Sequence, residues 1–458
     1  MMKKVWSSEM MEIKELSSIL QQCGVVGAGG AGFPTYAKLD ERAETILLNC
    51  AECEPLLRLH RQLLEKYAGE IVDTFHMMGE VVGAKEVLIG IKKAYKKTIQ
   101  ALEEVIAGYP NVKLALLDEV YPAGDEVVLI YEATGKVVRP GGLPIESGIA
   151  VFNVETIYNV YQAISKDTPV VEKLVSVVAE VNKPITVKVP IGTSIEEVVA
   201  LAGGVTTKNP VYFIGGPMMG NIGSGAQPVT KTTNAVLVLP EEHFIIQRKK
   251  SKAAIDLKRA AASCCQCNMC TDLCPRNRLG HPIEPHKFMR AAICKDMQDT
   301  NAFLNTFFCS SCGLCELYSC MQSLSPRTLM AEYKNGLRAN GMKPPQGVQP
   351  KAVGPEREYR KVPMERLMAR LDLSKYDKEA PLDETEVSVK RVKILLSQHI
   401  GAPACPVVKL GDNVVKGQLI AKPAKGLSVG IHASLNGVIS EVKEKYIVIE
   451  IKEGRADK

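Results

Sequence analysis

The chain has 458 residues, of which 46% are hydrophobic and 24% charged, with a formal net charge of +6. One hydrophobic core rarely grows past roughly 250 residues, so three or four packed units are expected, and the apolar fraction excludes wholesale disorder. The basic residues are scattered in short groups such as Lys92, Lys93, Lys96 and Lys97, which reads as solvated helix faces and excludes nucleic acid as a partner.

Residues 1–14 interleave charged and apolar side chains without an apolar core, so no secretory signal is expected. No uninterrupted run of about 18 apolar residues is present, so no transmembrane segment is expected either. A cytoplasmic setting follows, and there the 14 cysteines read as metal ligands or catalytic groups ahead of disulfides.

Four glycines, Gly27, Gly29, Gly30 and Gly32, fall within six positions, followed by Phe33-Pro34-Thr35. Glycine permits positive φ and close backbone approach, so the loop can lie against a flat ring or a phosphate; a tight structural turn is the alternative. It is not a Rossmann fingerprint, because it precedes the strand near Ile46 where that fingerprint follows one. The strand ends in Asn49-Cys50-Ala51-Glu52-Cys53-Glu54-Pro55, at the kind of position where open α/β sheets bind ligands. Cys50 and Cys53 have thiol–disulfide spacing but no thioredoxin-like surroundings. A helix over Leu56–Val82, a strand over Lys85–Ile91, a helix over Lys92–Ala107 and a strand over Val112–Leu117 predict a parallel sheet. Pro140-Gly141-Gly142-Leu143-Pro144 then turns the chain into a helix near Asn153–Ile164.

A smaller α/β unit begins near Pro184, with strands at Ile185–Val189 and Val211–Ile214 flanking a helix at Ser194–Ala202. Met218 and Met219, beside Gly215-Gly216-Pro217, read as core packing, with a cofactor-docking surface as the alternative.

The strongest signal lies between Ala260 and Arg327. Cys264-x-x-Cys267-x-x-Cys270-x-x-x-Cys274-Pro275 has the spacing of bacterial ferredoxin clusters. Zinc usually takes two separated ligand pairs, whereas closely spaced thiolates wrap the corners of a cubane. The second run, Cys309-x-x-Cys312-x-x-Cys315-x-x-x-x-Cys320, has one residue more before its last cysteine and Met321 in place of proline. In two-cluster ferredoxins the fourth cysteine of each run ligates the other cluster. Cys264, Cys267 and Cys270 are therefore paired with Cys320, and Cys309, Cys312 and Cys315 with Cys274. Cys265 and Cys294 read as small buried residues, with Cys294 a reserve ligand, and His281 and His286 as core or solvated histidines, with tuning or ligation of a cluster as the alternative. Residues 343–379 are rich in Pro, Lys and Glu and read as a linker or extended wrap. Ser388–Ile451, rich in Val and Ile and punctuated by Gly411-Asp412, Lys416-Gly417 and Asn436-Gly437, reads as a small all-β domain.

Gly-x-Gly-Gly-Ala-Gly-Phe-Pro-Thr with Lys38, then Asn-x-x-Glu-x-Glu-Pro, then Asn153-Val154-Glu155-Thr156, occur here in that order. In this the chain resembles the NADH-binding flavoprotein subunit of respiratory complex I and its relatives, the RnfC subunits of Rnf complexes and the PduS-type cobalamin reductases. The resemblance implies a multidomain α/β protein: a Rossmann-like flavin/NADH domain over 1–170, a β-grasp (SLBB) domain over 180–240, and a ferredoxin-like domain with two [4Fe–4S] clusters over 255–335. A linker over 336–387 and an all-β barrel-sandwich hybrid over 388–455 complete it. It places Gly27, Gly29, Gly30, Gly32, Lys38, Asn49, Glu52 and Asn153 around FMN, and Phe33 and Glu54 toward NADH. Ala51 stands where the complex I pattern has an aspartate, and Tyr121–Glu126 matches its next acidic flavin segment only loosely. The hybrid domain lacks the Met-Lys-Met signature of a lipoyl or biotinyl lysine and reads as structural. RnfC-like chains carry this domain before the flavin domain and PduS-like chains at the end, as here. The expected function is electron transfer from NADH through FMN and two clusters to oxidised cobalamin or a cobalamin-handling enzyme, in a bacterial microcompartment whose shell proteins would be neighbours. The alternatives are an RnfC-like subunit passing electrons to a membrane or ferredoxin partner, and a non-enzymatic iron–sulfur relay.

Overall fold

The computed structural model describes residues 11–296 and 298–451. The first ten residues, within the stretch that carries no secretory pattern, and positions 452–455 of the expected C-terminal domain lie outside the described residues. Among the described residues no helix is long and apolar enough to cross a membrane.

The first domain runs α1 (Ile13–Gln22), β1 (Thr45–Cys50), α2 (Leu59–Val82), β2 (Glu86–Lys92), α3 (Lys96–Ile106), β3 (Val112–Leu117), β4 (Val120–Tyr121), α4 (Glu126–Thr134), β5 (Ile149–Asn153) and α5 (Val154–Lys166). Its sheet has the order β3-β2-β1-β5, with every pair parallel. A parallel sheet needs cover on both faces, which is why Ile46, Leu47 and Leu48 are all apolar with no alternation. One face packs on α1, α2, α3 and α5 through Leu48, Leu63 and Phe75. The other packs on α4, where Leu129 and Ile130 meet Leu47 and Leu88. The helix expected from Lys92 starts only at Lys96, because Lys92 stays in β2 with its ammonium buried against Glu119 at 2.8 Å.

The second domain comprises β6 (Glu172–Ala179), β7 (Ile185–Pro190), α6 (Ile195–Leu201), β8 (Pro210–Ile214), β9 (Asn221–Ile222) and β10 (Ala235–Pro240). Its sheet starts with β6, ahead of the expected boundary, because Leu174, Val175, Val177 and Val178 are buried between β7 and β10. Ser194 and Glu197 form a capping box on α6, which satisfies two otherwise orphaned amides.

The cysteine-rich unit is a set of short helices around Phe288, Met289, Phe303 and Leu329. Pro275, Pro285 and Pro326 each stand in the first turn of a helix, where no amide hydrogen is needed.

The segment read as a linker or wrap is a strap with fixed contacts. Val362–Pro363 (β11) pairs with β4, a helix follows at Met364–Arg370, and Leu382–Asp383 (β12) adds to the edge of β7. Met364, Leu367 and Leu371 repeat at helical spacing and are buried with Phe213, Leu237 and Leu317, a pattern masked by the surrounding charge. The chain ends in a four-stranded and a three-stranded sheet around Val392, Ile420, Ile439 and Ile449. Where this last domain meets the first two, the buried Lys231 ammonium donates to the carbonyls of Gly24 at 2.6 Å and Gly430 at 3.1 Å.

Candidate functional site

β1 and β5 lie side by side in register, Asn49 opposite Asn153, and end at a cleft of about 570 Å3. That is within the usual range for a cofactor-sized pocket. All ten positions singled out in the sequence line it: Gly27, Gly29, Gly30, Gly32, Phe33, Lys38, Asn49, Glu52, Glu54 and Asn153.

The glycine loop is held from behind. The Ala28 amide donates to Thr156 Oγ1 at 2.9 Å and the Gly27 amide to the Phe33 carbonyl at 2.8 Å. Gly32 has φ +68°, and a Cβ there would meet Thr232 Cγ2 at 2.8 Å and the Gln398 carbonyl at 3.1 Å. The second and last domains thus press the loop into place. Phe33 stands at the rim, 36% exposed.

Several of these side chains also tie the walls together. The Lys38 ammonium donates to the Val151 carbonyl at 2.9 Å and to Glu126 at 3.2 Å. Asn49 donates to the Gly124 carbonyl at 3.0 Å. Glu52 accepts from the His60 amide at 2.8 Å and pairs with Arg61 at 3.3 Å. Asn153 caps α5, accepting from the Glu155 and Thr156 amides at 2.9 and 3.4 Å; such a cap contributes about 1 kcal/mol to helix stability.

Glu54 reaches out of the first domain. Its two carboxylate oxygens accept from the amides of Met218 at 2.9 Å and Met219 at 3.1 Å. Desolvation pushes this carboxyl up to about 7, although the two amides favour the charged form. The methionine pair is divided: Met218 is buried, whereas Met219 is 51% exposed and lines the cleft. Burial pushes the Cys53 thiol up to about 12 and Cys50 well above its usual value, the reverse of a reactive pair.

Sequence reasoning missed His60, Asn234 and Arg276, which also line the cleft. Arg276 comes from the cysteine-rich unit and pairs with Asp125 at 2.9 Å. Asn234 comes from the second domain.

The structure gathers the thiols into two sets. Cys274, Cys309, Cys312 and Cys315 line one cavity. Cys264, Cys267, Cys270 and Cys320 line another, together with Cys265 and His286. Cys265 and Cys294, expected to be buried, are both exposed, and Cys294 borders neither cavity. His281 is buried, its Nε2 on the Val138 carbonyl at 2.9 Å. Among the described residues no three His, Cys, Asp or Glu side chains converge on a point that would hold a single ion. A cubane instead takes thiolates at its corners. Backbone amides already point at sulfur, Ser311 to Cys309 Sγ at 3.4 Å and Leu324 to Cys320 Sγ at 3.3 Å, and such bonds stabilise the charge of a thiolate-bound cluster. Burial, then neighbouring sulfurs, push Cys270 up to about 12, so metal must displace protons there. The first set is next to the cleft, since Ser310, Cys312 and Arg276 line both. The second is nearer the surface, with Cys265 and Cys267 exposed.

The cleft also fits a flavin. Thr35 Oγ1, His60 Nδ1 and Asn234 Oδ1 are buried without a partner among the described residues and belong to residues lining it. A Cβ on Gly30 would meet nothing within 4 Å, which leaves room for a flat ring.

Comparison with known proteins agrees with this architecture. Residues 20–162 match the Nuo51 FMN-binding domain, 174–221 the SLBB domain, 263–325 the 4Fe-4S dicluster domain and 373–453 the RnfC barrel sandwich hybrid domain. The cobalamin reductase PduS of Salmonella typhimurium is 41% identical over 437 residues, covering 95% of this chain and 96% of that protein. PduS of Citrobacter freundii is 39% identical over 447 residues, 96% and 98% of the two chains. A component of the ion-translocating oxidoreductase complex of Cronobacter sakazakii is 32% identical over 280 residues, 60% of this chain but 35% of that protein. With two relatives matched over nearly their whole length and the same four domains in its fold, the chain belongs to the PduS family of oxidoreductases.

Proposed function

We propose that this protein is an NADH-dependent reductase that holds FMN in the cleft and two [4Fe–4S] clusters in the thiol cavities, and delivers electrons to oxidised cobalamin. The observation that carries the reading is that one cleft is lined both by the glycine loop and by Cys312 and Arg276 of the cysteine-rich unit. The names of the full-length relatives support cobalamin as acceptor. FMN, when bound, supplies the exchange between the paired electrons of a nicotinamide and the single electrons a cluster takes. The residues would orient and insulate it: the glycine loop would bring backbone close to the ring, and Phe33 at the rim, with Glu54 behind the Met218–Met219 loop, would face the nucleotide. Cys309, Cys312, Cys315 and Cys274 hold the cluster next to the cleft, and the other set leads toward the surface. A microcompartment setting, with shell proteins as neighbours, belongs to the same reading.

Anaerobically reconstituted protein should carry about eight irons and one FMN. Stopped-flow oxidation of NADH with cobalamin, ferredoxin and a quinone compared side by side should be fastest with cobalamin. A faster rate with ferredoxin would shift the assignment toward an RnfC-like role, and absence of cluster bleaching by NADH would leave only a relay.

Glu54→Gln should raise the apparent KM for NADH about tenfold with FMN occupancy intact; loss of flavin would show that Glu54 acts through the loop and not on the nucleotide. The same substitution has a pH signature. The folded value of about 7 lies above the ordinary 4.5, so the folded chain binds this proton more tightly. Its contribution is fully present below about pH 4.5 and is lost as pH rises through 7, on the order of 1–3 kcal/mol. Melting temperatures between pH 5 and 8 should therefore depend less on pH in Glu54→Gln than in the parent protein.

A further inference from the structure

Hydrogen-bond logic fixes the tautomer of His60. Asn153 Oδ1 accepts from two amides at the start of α5, so the other end of that side chain is its NH2. This nitrogen lies 3.0 Å from His60 Nε2 and can only donate. Nε2 must accept, and the ring proton of a neutral His60 sits on Nδ1. Burial acts in the same direction, holding His60 below its usual value. The Nδ1–H is thus a buried donor without a partner among the described residues.

Asn234, immediately before β10 in the β-grasp domain, carries a buried Oδ1 without a partner among the described residues. It is close to the same corner of the cleft: a Cβ on Gly29 would lie 3.0 Å from Asn234 Nδ2 and 3.6 Å from Asn153 Nδ2. Glycine at 29 therefore keeps open a space bounded by two amides, with His60 bonded to one of them. Leaving a buried donor and a buried acceptor unmade is costly, and native proteins do so rarely unless a ligand or water completes them.

We propose that Asn234, although carried by the β-grasp domain, is a cofactor-contacting residue of the cleft, where its amide and the Nδ1–H of His60 together hydrogen bond the edge of a bound ring that presents both an N–H donor and a carbonyl acceptor. The pyrimidine edge of a flavin has this alternation, so the inference rests on the FMN reading above. It makes the site bipartite: the glycine loop alone is incomplete without the second domain seated on it.

The test is fluorescence titration of FMN into flavin-free protein with its clusters intact. Asn234→Ala and His60→Phe should each bind FMN at least about tenfold more weakly than the parent, while Asn221→Ala, an exposed change in the same domain, should bind like the parent. Asn234→Asp keeps the shape should Asn234→Ala fail to fold. It keeps an acceptor for the ring N–H and adds a negative charge beside it, so it should lower the flavin midpoint potential. Parent-like affinity and potential in the folded Asn234 variants would overturn the inference. Failure of the parent protein itself to bind FMN would instead overturn the reading on which the inference rests.

Discussion

Cys320→Ser is expected to lose the cluster held with Cys264, Cys267 and Cys270, about four of roughly eight irons, and to keep the cluster beside the cleft. The sulfur of Cys320 borders the same cavity as the first three cysteines of the other run, so the extra residue before it has not carried it out of reach. NADH should still bleach the flavin and the remaining cluster, but transfer onward to cobalamin should fall by orders of magnitude. Cys312→Ser should do the reverse: the cavity next to the flavin empties, and electrons stop at the flavin. Cys294→Ser should change neither, since Cys294 is exposed and away from both cavities. Iron analysis with EPR of the three proteins decides the matter, and a full pair of clusters in Cys320→Ser would refute the crossed assignment.

Gly29→Val should abolish flavin binding while leaving the iron content unchanged. No left-handed backbone is required at 29, so the substitution imposes no left-handed strain on the main chain. Its first carbon would already lie 3.0 Å from Asn234 Nδ2, and the branches beyond it would fill the space the ring needs. Gly32→Ala is the contrasting case. There φ is +68° and the added carbon meets Thr232 and Gln398, so the expected loss is about 1–3 kcal/mol of stability, read as a lower melting temperature. Acid-released flavin measured beside melting curves separates exclusion of the cofactor from damage to the fold.

Much of this site could be read from local sequence because its signals are local. The two cysteine runs and the four glycines are patterns within about a dozen residues, and the strand ending at Asn49 announces itself by a continuous apolar run. Two of the residues that escaped, Asn234 and Arg276, reach the cleft from elsewhere in the chain. Arg276 meets Asp125 across 151 positions, and Tyr121 donates to the Cys312 carbonyl across 191. Periodicity and spacing carry nothing about such pairs, which arise only once whole domains have docked. Glu54 is intermediate: its motif marked it, but its bonds to Met218 and Met219 depend on a loop in another domain. Within the strap, the segment read as a linker or extended wrap, the helix was hidden for a compositional reason, since Arg366, Arg370 and Glu365 surround the buried Met364 and Leu367.

That strap also sets an order of assembly during synthesis. β7 is a strand of the second domain, yet one of its sides stays open until β12 arrives nearly two hundred residues later. An unpaired strand edge is a template for adhesion to other chains, and domains generally fold as units while the rest of the polypeptide is still emerging from the ribosome. The cysteine-rich unit is translated within that interval, so it lies between two parts of the sheet that must finally be joined. Nascent chains halted before residue 382 should therefore be more adhesive than those that have passed residue 387, and matched truncations at the two points should aggregate in that order.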